Sequence, residues 1–332
     1  MRTRPERVRT SIITHLGEDT GMKAVVIDHD SPGHVTIKEI DNPMPAPNEA
    51  LVKVAAVSLN LGEVRYAQKR DPGSQIGWDL AGTVEQPAAS GEGPKAGARV
   101  AGFLGTGAWA ELAAVPVDRM AELPENVSFT QAATLPVAGL TALYVLEHGH
   151  GLLGRKVLVT GANGGVGMFS CQLAKMMGAK VIGQVRRDRY RDLVLSWGAD
   201  EVVVSEDAGA ACEYGPYRLI SESVGGAVLS NCLAMLDKDG ICVSFGTSAG
   251  SEVTFDASSF YASGRASLYG FLLFNELGRE PASVGLARLV ALVADGRLKP
   301  HITVEEPCSR IGDVVQRFWD RKIPGKTVVH IS

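Results

Sequence analysis

A glycine-rich segment lies between a run of β-forming residues and a helix-like run, and its residue types suit phosphate binding. The segment Lys156–Met168 reads KVLVTGANGGVGM. Within it, Ala162-x-Gly164-x-x-Gly167 is a variant of the spacing G-x-G-x-x-G with alanine in the first place. Ala162 and Gly164 allow a tight turn and the close approach of a ligand, and Gly167 removes a side chain where helix and strand pack. The helix N-terminus then offers N–H groups and partial positive charge to a pyrophosphate.

This turn predicts a dinucleotide site, because it follows a strand and opens a helix. The alternative is a glycine-rich loop that serves only as a turn, and the strand–helix alternation around it argues against that reading. The residues expected to contact the cofactor here are Ala162, Asn163, Gly164, Gly165, Val166 and Gly167.

Two arginines indicate which dinucleotide is bound. An acidic residue about 20 positions after the glycines holds a ribose 2′-hydroxyl, whereas arginine there accommodates a 2′-phosphate. The second strand ends without a carboxylate and is followed by Arg186 and Arg187. Charge-assisted bonds from one or both guanidiniums therefore favour NADPH over NADH. A solvated basic turn is the alternative reading of this pair.

The elements that must position these residues form an alternating series of strands and helices. Such a series predicts a parallel sheet with crossover helices, a doubly wound Rossmann fold of order 3-2-1-4-5-6. A helix is expected at Gly165–Met177, after the glycine turn. The predicted strands are Lys156–Thr160, Lys180–Val185, Glu201–Val204, Tyr217–Ser221, Ile241–Phe245 and Ser267–Phe271.

The rest of the chain has a different texture. From Val25 to Pro136 short strands are punctuated by proline and glycine, which predicts a β-rich, barrel-like unit. A helix is expected at Pro281–Asp295 and a last strand at Lys326–Ile331, which we assign to the β-rich unit. The predicted domains are therefore residues 22–143 with 279–332, and residues 144–278.

Composition restricts the class of protein and of ligand. The 332 residues are 45% apolar and 21% charged, with a net charge of −4 and no apolar run near the ~20 residues of a membrane span. Nucleic acid and membrane are therefore poor partners, and a small ligand is favoured. Five scattered cysteines without a C-x-x-C pair suit free, mostly buried thiols in a reducing cytoplasm. Residues 1–21 have no signal-peptide core after their arginines, and a strand-like run begins at Met22, so we expect them to be a disordered extension or the result of an upstream start.

Several ordered motifs together resemble one family over nearly the whole chain from Met22. They are VTGANGGVG in the cofactor unit, SLNLGEVRY, GWDLAGTV and GAWAELAAVP in the β-rich unit, AATLPVAGLTALYVL before the crossing, and GKTVVHI near the end. The chain resembles the medium-chain dehydrogenase/reductase superfamily, in its zinc-independent quinone oxidoreductase-like branch. The resemblance implies a GroES-like catalytic domain made from both chain ends, a Rossmann domain between them, and an active site in the cleft.

The resemblance also bears on zinc. Zinc-dependent relatives carry cysteine where this chain has Asn60, and Gly-His-Glu where it has Gly77-Trp78-Asp79. Zinc is held by thiolate, imidazole or carboxylate, so neither Asn60 nor Trp78 replaces the lost ligand. Cysteine is absent before Cys171, so the four-cysteine structural lobe of those relatives is missing as well. We expect no metal, and hydride transfer from the nicotinamide to a quinone or to the β-carbon of an α,β-unsaturated carbonyl.

The resemblance places three side chains at the reacting centre. Asn60 and Thr141 should border the nicotinamide, where their amide and hydroxyl position the ring or the substrate carbonyl. A turn former and a hydroxyl bonded to its own helix backbone are the respective alternatives. Tyr66 is the nearest candidate acid or oxyanion donor, although the family's cleft tyrosine falls at Arg65 and its aspartate at Glu63. Packing is an equal alternative for Tyr66.

Further cofactor contacts are expected where parallel strands end, since such folds bind ligands at that edge. Tyr190 is expected beside the 2′-phosphate, with a surface helix position as the alternative. The residues expected near the nicotinamide half are Ser223, Val224, Gly246, Thr247, Phe271 and Leu272.

The sequence thus predicts a cytoplasmic, zinc-independent NADPH-dependent reductase of quinones or enones. By the same resemblance, it is expected to form a homodimer through the exposed edge near the sixth strand. Two alternatives remain open. One is a trans-acting enoyl-thioester reductase, and the other is a catalytically silent NADPH-binding or regulatory protein.

Overall fold

The computed structural model describes residues 21–320 and 323–331. The extension predicted over residues 1–21 therefore lies outside the described residues, apart from Gly21. Within the described ranges, no helix combines the length and the apolar character that a membrane crossing needs. The fold is mixed α/β, with a β-rich unit built from both chain ends and an α/β unit between them.

The β-rich unit begins with short strands and few helices. Its N-terminal strands are Met22–Ile27 (β1), Val35–Ile40 (β2), Glu49–Ser58 (β3), Asp79–Gln86 (β4), Arg99–Phe103 (β5), Leu112–Pro116 (β6) and Met120–Glu122 (β7). The helices here are Leu61–Ala67 (α1), Phe129–Ala133 (α2) and, after a π-helical turn at Leu135–Gly139, Leu140–Glu147 (α3).

The α/β unit alternates strands with helices, as the sequence predicts. Its strands are Lys156–Val159 (β8), Lys180–Val185 (β9), Glu201–Val204 (β10), Tyr217–Glu222 (β11), Leu236–Ser244 (β12) and Ser267–Gly270 (β13). Its helices are Gly165–Met176 (α4), Arg191–Ser196 (α5), Gly226–Leu233 (α6) and Ala257–Ala262 (α7).

The strands of this unit form a parallel sheet in the order β10-β9-β8-β11-β12-β13, which confirms the predicted order 3-2-1-4-5-6. Consecutive residues of β8 point to opposite faces: Val157 and Val159 belong to one buried cluster and Leu158 to another. A strand covered on both faces needs a continuous apolar run, and β8 has one. The carboxyl ends of these strands therefore meet along one edge.

The end of the chain returns to the first unit. The closing elements are Leu273–Glu276 (α8), Ala282–Ala294 (α9), Ile302–Pro307 (β14), Ile311–Trp319 (α10) and Lys326–His330 (β15). Strand β15 lies between β14 and β3, pairing in parallel with the first and antiparallel with the second. This pairing supports the division we propose at residues 22–143 with 279–332, and at 144–278.

One predicted strand of the α/β unit differs from the observed strand by several residues, whereas the others agree to within one residue. Strand β12 begins at Leu236 rather than at Ile241. The intervening residues carry charges, a glycine and a left-handed Asp239 (φ 60°), which are typical of a turn. In the fold, Asp239 pairs with Arg265 and its carbonyl accepts from Arg218, so these contacts hold the irregular strand.

Candidate active site

A cleft of about 1440 Å³ separates the two units and receives residues from both. Its walls come from α1, the π-helical turn and α3 on one side, and from the loops at the carboxyl edge of the parallel sheet on the other. The structure brings nearly all the predicted site residues to this cleft. They are Asn60, Tyr66, Thr141, Asn163, Gly164, Gly165, Val166, Gly167, Arg186, Arg187, Tyr190, Ser223, Val224, Gly246, Thr247, Phe271 and Leu272.

The glycine turn connects β8 to α4 and lines the cleft mostly with glycines, which present backbone to it. Gly164 is the N-cap of α4 and gives no side-chain cap, so the first N–H groups of this helix remain available to a ligand. A Cβ at Gly167 would lie 2.7 Å from the Ala162 Cα and from the carbonyl oxygens of Gly161 and Ala162. Only glycine fits there, because the turn packs directly on the helix.

Ala162 is the exception among the predicted cofactor contacts, because it does not line the cleft; its contact with the cofactor stays a prediction. It is fully buried beneath the turn, and its N–H donates to the Gln184 carbonyl at 3.0 Å. The neighbouring Gly161 lines the cleft instead, with a left-handed φ of 56°. The spacing identifies the turn, but the Ala162 methyl points into the core toward Gly183.

Gln184 fixes the turn from the second strand. Its side-chain oxygen accepts from the Gly161 N–H at 3.1 Å, and its amide donates to the Ser205 carbonyl at 2.6 Å. The side chain is buried and joins the loops that follow β8 and β10. Gln184 thus holds the turn in shape, a role that strand periodicity does not reveal.

Glu222 organises the loop after β11. Its Oε1 accepts from the N–H groups of Val224 at 2.6 Å and Gly225 at 2.9 Å, and its Oε2 accepts from the Ser244 hydroxyl at 3.0 Å. Burial raises the pKa of Glu222, while these donors act in the opposite direction. The carboxylate therefore orders Ser223 and Val224 at the cleft and is not itself presented to a ligand.

Arg186 and Arg187 follow β9 and are exposed beside the glycine turn. Neither makes an ion pair or a side-chain hydrogen bond within residues 21–320 and 323–331. The next arginine differs, since Arg189 lies 4.8 Å from the Tyr190 ring centroid and donates to its hydroxyl at 2.9 Å. The guanidiniums of Arg186 and Arg187 are therefore available to a ligand, whereas that of Arg189 is held against Tyr190.

These residues fit a dinucleotide that carries an extra phosphate. The uncapped start of α4 suits a pyrophosphate, and the two free arginines suit a 2′-phosphate. The carboxylate that would hold a free 2′-hydroxyl is missing from the end of β9, where Gln184 and Val185 stand. NADPH therefore matches this end of the cleft better than NADH does.

A buried polar network forms the floor at the other end of the cleft. The Lys326 ammonium donates to the Asn60 Oδ1 at 2.9 Å and to the Leu59 carbonyl at 3.1 Å, and lies 3.6 Å from Asp79 Oδ2. Asp79 also accepts from the Ser58 hydroxyl at 2.7 Å and from the Val137 N–H at 2.9 Å. The Lys326 ammonium thus lies beside Asn60 and Asp79, two positions where zinc-dependent relatives of the resembled family carry other residues.

The Asn60 amide is used by this network. Its Nδ2 donates to Asp79 Oδ2 at 2.7 Å and to Glu63 Oε1 at 3.1 Å, so both of its protons point inward. The Asn60 N–H also donates to Glu63 at 2.6 Å, which completes a capping box for α1. Both amide donors are thus used within the protein, and the role expected for this amide in positioning the ring or the substrate carbonyl stays a prediction. Asn60 borders the cleft, but its amide N–H groups bind the carboxylates of the buried floor.

Burial perturbs the charges of this floor in opposite directions. It raises the pKa of Glu63 well above the usual range, and the nearby Asp79 carboxylate raises it further. Burial also lowers the pKa of Lys326, against the attraction of Asp79 and Glu63. The charged form of Lys326 is therefore stabilised by the two carboxylates, and that of Glu63 by Lys326, as expected for buried ion pairs.

Thr141 lies on α3, is 5% exposed and lines the cleft. Its hydroxyl makes no hydrogen bond in the part of the chain that the structure describes, so the alternative of a bond to its own helix backbone is not seen. Tyr66 is 56% exposed at the mouth, beneath the Arg70 guanidinium at 5.4 Å from its ring centroid. Of the two hydroxyls, that of Thr141 is the one sheltered from solvent.

No group of three or more histidine, cysteine or acidic side chains that could hold a metal occurs in the described ranges. Cys171, Cys232 and Cys242 are buried and Cys308 is half-buried, all as free thiols. Cys212 is exposed, so the expectation of buried thiols does not extend to it.

Sequence reasoning missed several cleft residues besides Gln184. Lys326 lies in the motif GKTVVHI, but a lysine at the start of a strand is more typical of a solvent-exposed position. The aromatic wall could have been suspected from the apolar loop ends, but its members are contributed by distant segments. They are Trp78, Phe245 and Phe274.

Comparison with known proteins gives consistent matches along the chain. The family described as zinc-binding dehydrogenase matches residues 165–288, and the alcohol dehydrogenase GroES-like domain matches residues 46–125. The chloroplast envelope quinone oxidoreductase homolog of Arabidopsis thaliana is 30% identical over 319 residues, covering 90% of this chain and 94% of that protein. Quinone oxidoreductase 1 of Escherichia coli K12 is 29% identical over 300 residues, covering 84% and 89%.

Solved structures show the same similarity. The Escherichia coli quinone oxidoreductase complexed with NADPH superimposes with a TM-score of 0.83 at 26% identity, covering 94% of this chain and 100% of that one. Its fold therefore matches the present one over both units.

Proposed function

We propose, from the premise that the chain belongs to the medium-chain dehydrogenase/reductase superfamily and its quinone oxidoreductase-like branch, that it reduces quinones or enones. It is an NADPH-dependent oxidoreductase, and hydride is delivered to a quinone or to the β-carbon of an α,β-unsaturated carbonyl. The similar Escherichia coli enzyme was solved with NADPH, which supports the same cofactor here.

The observation that carries this proposal is that the two ends of one cleft suit two different ligands. One end has the uncapped start of α4 and the free arginines Arg186 and Arg187. The other end has the sheltered Thr141 hydroxyl beside an aromatic wall, with Trp78 and Phe274 in edge contact at 5.3 Å. A charged dinucleotide suits the first end, and a flat, apolar acceptor with one polar oxygen suits the second.

The roles of the residues follow from this arrangement. NADPH supplies the hydride, so the protein has to align the acceptor and stabilise the charge that develops on its oxygen. The Thr141 hydroxyl donates to that oxygen, which becomes an enolate or a hydroquinone anion. The aromatic wall positions the flat acceptor, and water from the open cleft supplies the proton. Lys326, Asn60 and Asp79 keep the floor rigid and charged.

Two alternatives use the same cleft. A trans-acting enoyl-thioester reductase would perform the same hydride addition on a thioester, and a catalytically silent protein would bind NADPH without turnover. NADPH oxidation with a panel of 1,4-quinones, alkenals and crotonyl thioesters, measured beside NADPH binding by fluorescence, separates the three. We expect turnover of quinones or alkenals. Binding without turnover of any acceptor would overturn the proposal in favour of the silent protein, and preference for thioesters would promote the trans-acting enzyme.

Thr141→Val tests the proposed donor. Valine keeps the shape and removes the hydroxyl, so we expect kcat/KM for the acceptor to fall about five- to tenfold, the effect of one lost neutral hydrogen bond. The urea midpoint should stay unchanged, because the hydroxyl has no partner in the described residues. Steady-state kinetics and urea unfolding measure both.

Thr134→Val is the matched control. Its hydroxyl donates to the Gln131 carbonyl at 2.7 Å and does not line the cleft. This variant should lose stability and keep its kcat/KM. If both threonine variants kept full activity, Thr141 would have no role in the reaction.

We place the protein in the cytoplasm as a homodimer. Strand β13 is the edge of the parallel sheet, and its side chains are largely exposed, with Leu268 at 45%. A short apolar edge strand of this kind can pair with its copy. Sedimentation of the protein beside a Leu268→Lys variant tests this, because a monomeric wild type would exclude it.

A further inference from the structure

The charge of the cleft exceeds what the cofactor requires. Its carboxylates, among the described lining residues, are Glu206 and Asp320. Its cations are more numerous and come from both units. They are Arg65, Lys69, Arg186, Arg187, Arg189 and Lys326. The arginines after β9 suit the 2′-phosphate, and Lys326 is paired in the floor, so Arg65 and Lys69 remain unexplained.

Arg65 is held in place without being neutralised. Its Nη1 donates to the Thr247 carbonyl and its Nη2 to the Ser248 carbonyl, each at 3.3 Å, across the cleft from α1. Two carbonyls orient the half-buried guanidinium but contribute no negative charge. A guanidinium has five N–H donors, so others remain for a ligand.

The position of Arg65 is distant from the phosphates of the cofactor. Its partners follow β12, whereas the glycine turn follows β8, and β11 lies between these strands. Adjacent strands are about 4.8 Å apart, so the two loops are separated by roughly 10 Å. Arg186 follows β9, on the far side of β8. Neither the pyrophosphate nor the 2′-phosphate therefore accounts for the guanidinium at this end.

Lys69 adds a second cation on the same side of the mouth. It lies one turn beyond Arg65, is exposed, and makes no ion pair in the ranges that the structure covers. Arg70 is different, because it lies over the Tyr66 ring and does not line the cleft. The unneutralised charge is therefore concentrated where an acceptor would enter.

We infer that the natural acceptor carries an anionic group, a carboxylate or a phosphate, which binds Arg65 with support from Lys69. This inference rests on the proposed function and narrows its substrate class. The oriented guanidinium matches the two oxygens of such a group, while the conjugated part of the acceptor reaches the aromatic wall. The anion could be a carboxylate of the acceptor itself or a phosphate of a thioester carrier.

Two matched pairs of acceptors test the inference and distinguish the sources. The first is a straight-chain enone that ends in a carboxylate and its methyl ester. The second is crotonyl-coenzyme A and crotonyl-pantetheine, which lacks the nucleotide phosphates. In at least one pair we expect wild type to prefer the anionic member about tenfold or more in kcat/KM. The preference should shrink as salt is raised, since the site is open to solvent.

Arg65→Gln should abolish most of this preference, Arg65→Lys should retain part of it, and the matched control Arg70→Gln should leave it intact. A wild type that shows no preference in either pair would overturn the inference and leave the proposed function standing. So would an Arg65→Gln enzyme that loses activity equally with both members, because Arg65 would then only join the two units. If no acceptor of either charge were reduced, the proposed function would fail, and the inference with it.

Discussion

Replacing Arg186 and Arg187 together by alanine should raise the KM for NADPH about a hundredfold or more and leave that for NADH nearly unchanged. Each hydrogen bond between a charged donor and a phosphate contributes about 1.5–3 kcal/mol. Both guanidiniums are free of protein partners in the described part of the chain, so their removal should not disturb the fold. The expected result is an enzyme that no longer prefers NADPH.

The comparison is internally controlled, because NADH differs from NADPH only in the missing 2′-phosphate. Arg189→Ala is the matched variant. Its guanidinium is held against Tyr190, so its removal should change the KM for NADPH less than the double replacement does. Initial rates with either cofactor at a fixed acceptor concentration give the ratio. A double variant that still prefers NADPH as strongly as wild type would mean that other groups bind the 2′-phosphate.

Lys326→Met should lower the free energy of unfolding by about 3–5 kcal/mol, the usual effect of removing one partner from a buried ion pair. Methionine nearly preserves the volume but leaves Asp79 and Glu63 without a cation. It also removes the donor from the Asn60 and Leu59 oxygens. Urea unfolding followed by intrinsic fluorescence measures the loss, and the exposed Lys95→Met is the control.

A second variant identifies the cause. Adding Asp79→Asn to Lys326→Met removes one of the two buried carboxylates that are left without a cation. The double variant should therefore recover part of the lost free energy of unfolding. If Lys326→Met were as stable as wild type, the floor would not depend on an ammonium.

The destabilisation caused by Lys326→Met should depend on pH in a definite direction. The pKa of Glu63 is raised in the folded protein, so the cost of its buried charge is absent below the ordinary carboxyl pKa, grows as pH rises above it, and is complete above the raised value. The destabilisation by Lys326→Met should therefore become smaller as the solution is acidified. A loss that grew on acidification would contradict the assignment of charge.

The α/β unit could be predicted from the sequence because its signals are local. The central strands are short, largely apolar runs covered on both faces, and the glycine turn follows the first strand in the chain. The missing ribose carboxylate after β9 is equally local. The order of the strands then follows from the rules that govern doubly wound sheets.

The floor of the cleft could not be predicted in this way. Lys326 and Asn60 are joined by a 2.9 Å hydrogen bond across 266 positions of sequence, and no periodicity links them. The same limit explains why the structure distinguishes two candidates that the sequence treats alike. The Asn60 amide is used by carboxylates that only the fold brings near, whereas the Thr141 hydroxyl is left free to face a ligand.

The position of strand β15 determines when the sheet of each unit can be completed during synthesis. It lies inside the sheet of the first unit, beside β3, and its first residue supplies the buried ammonium. The N-terminal strands emerge early, but they lack this partner until the final part of the chain has been made. The α/β unit has no such requirement, since its strands are contiguous in the chain. The sheet of the α/β unit can therefore be completed before β15 is made, whereas the sheet of the first unit cannot.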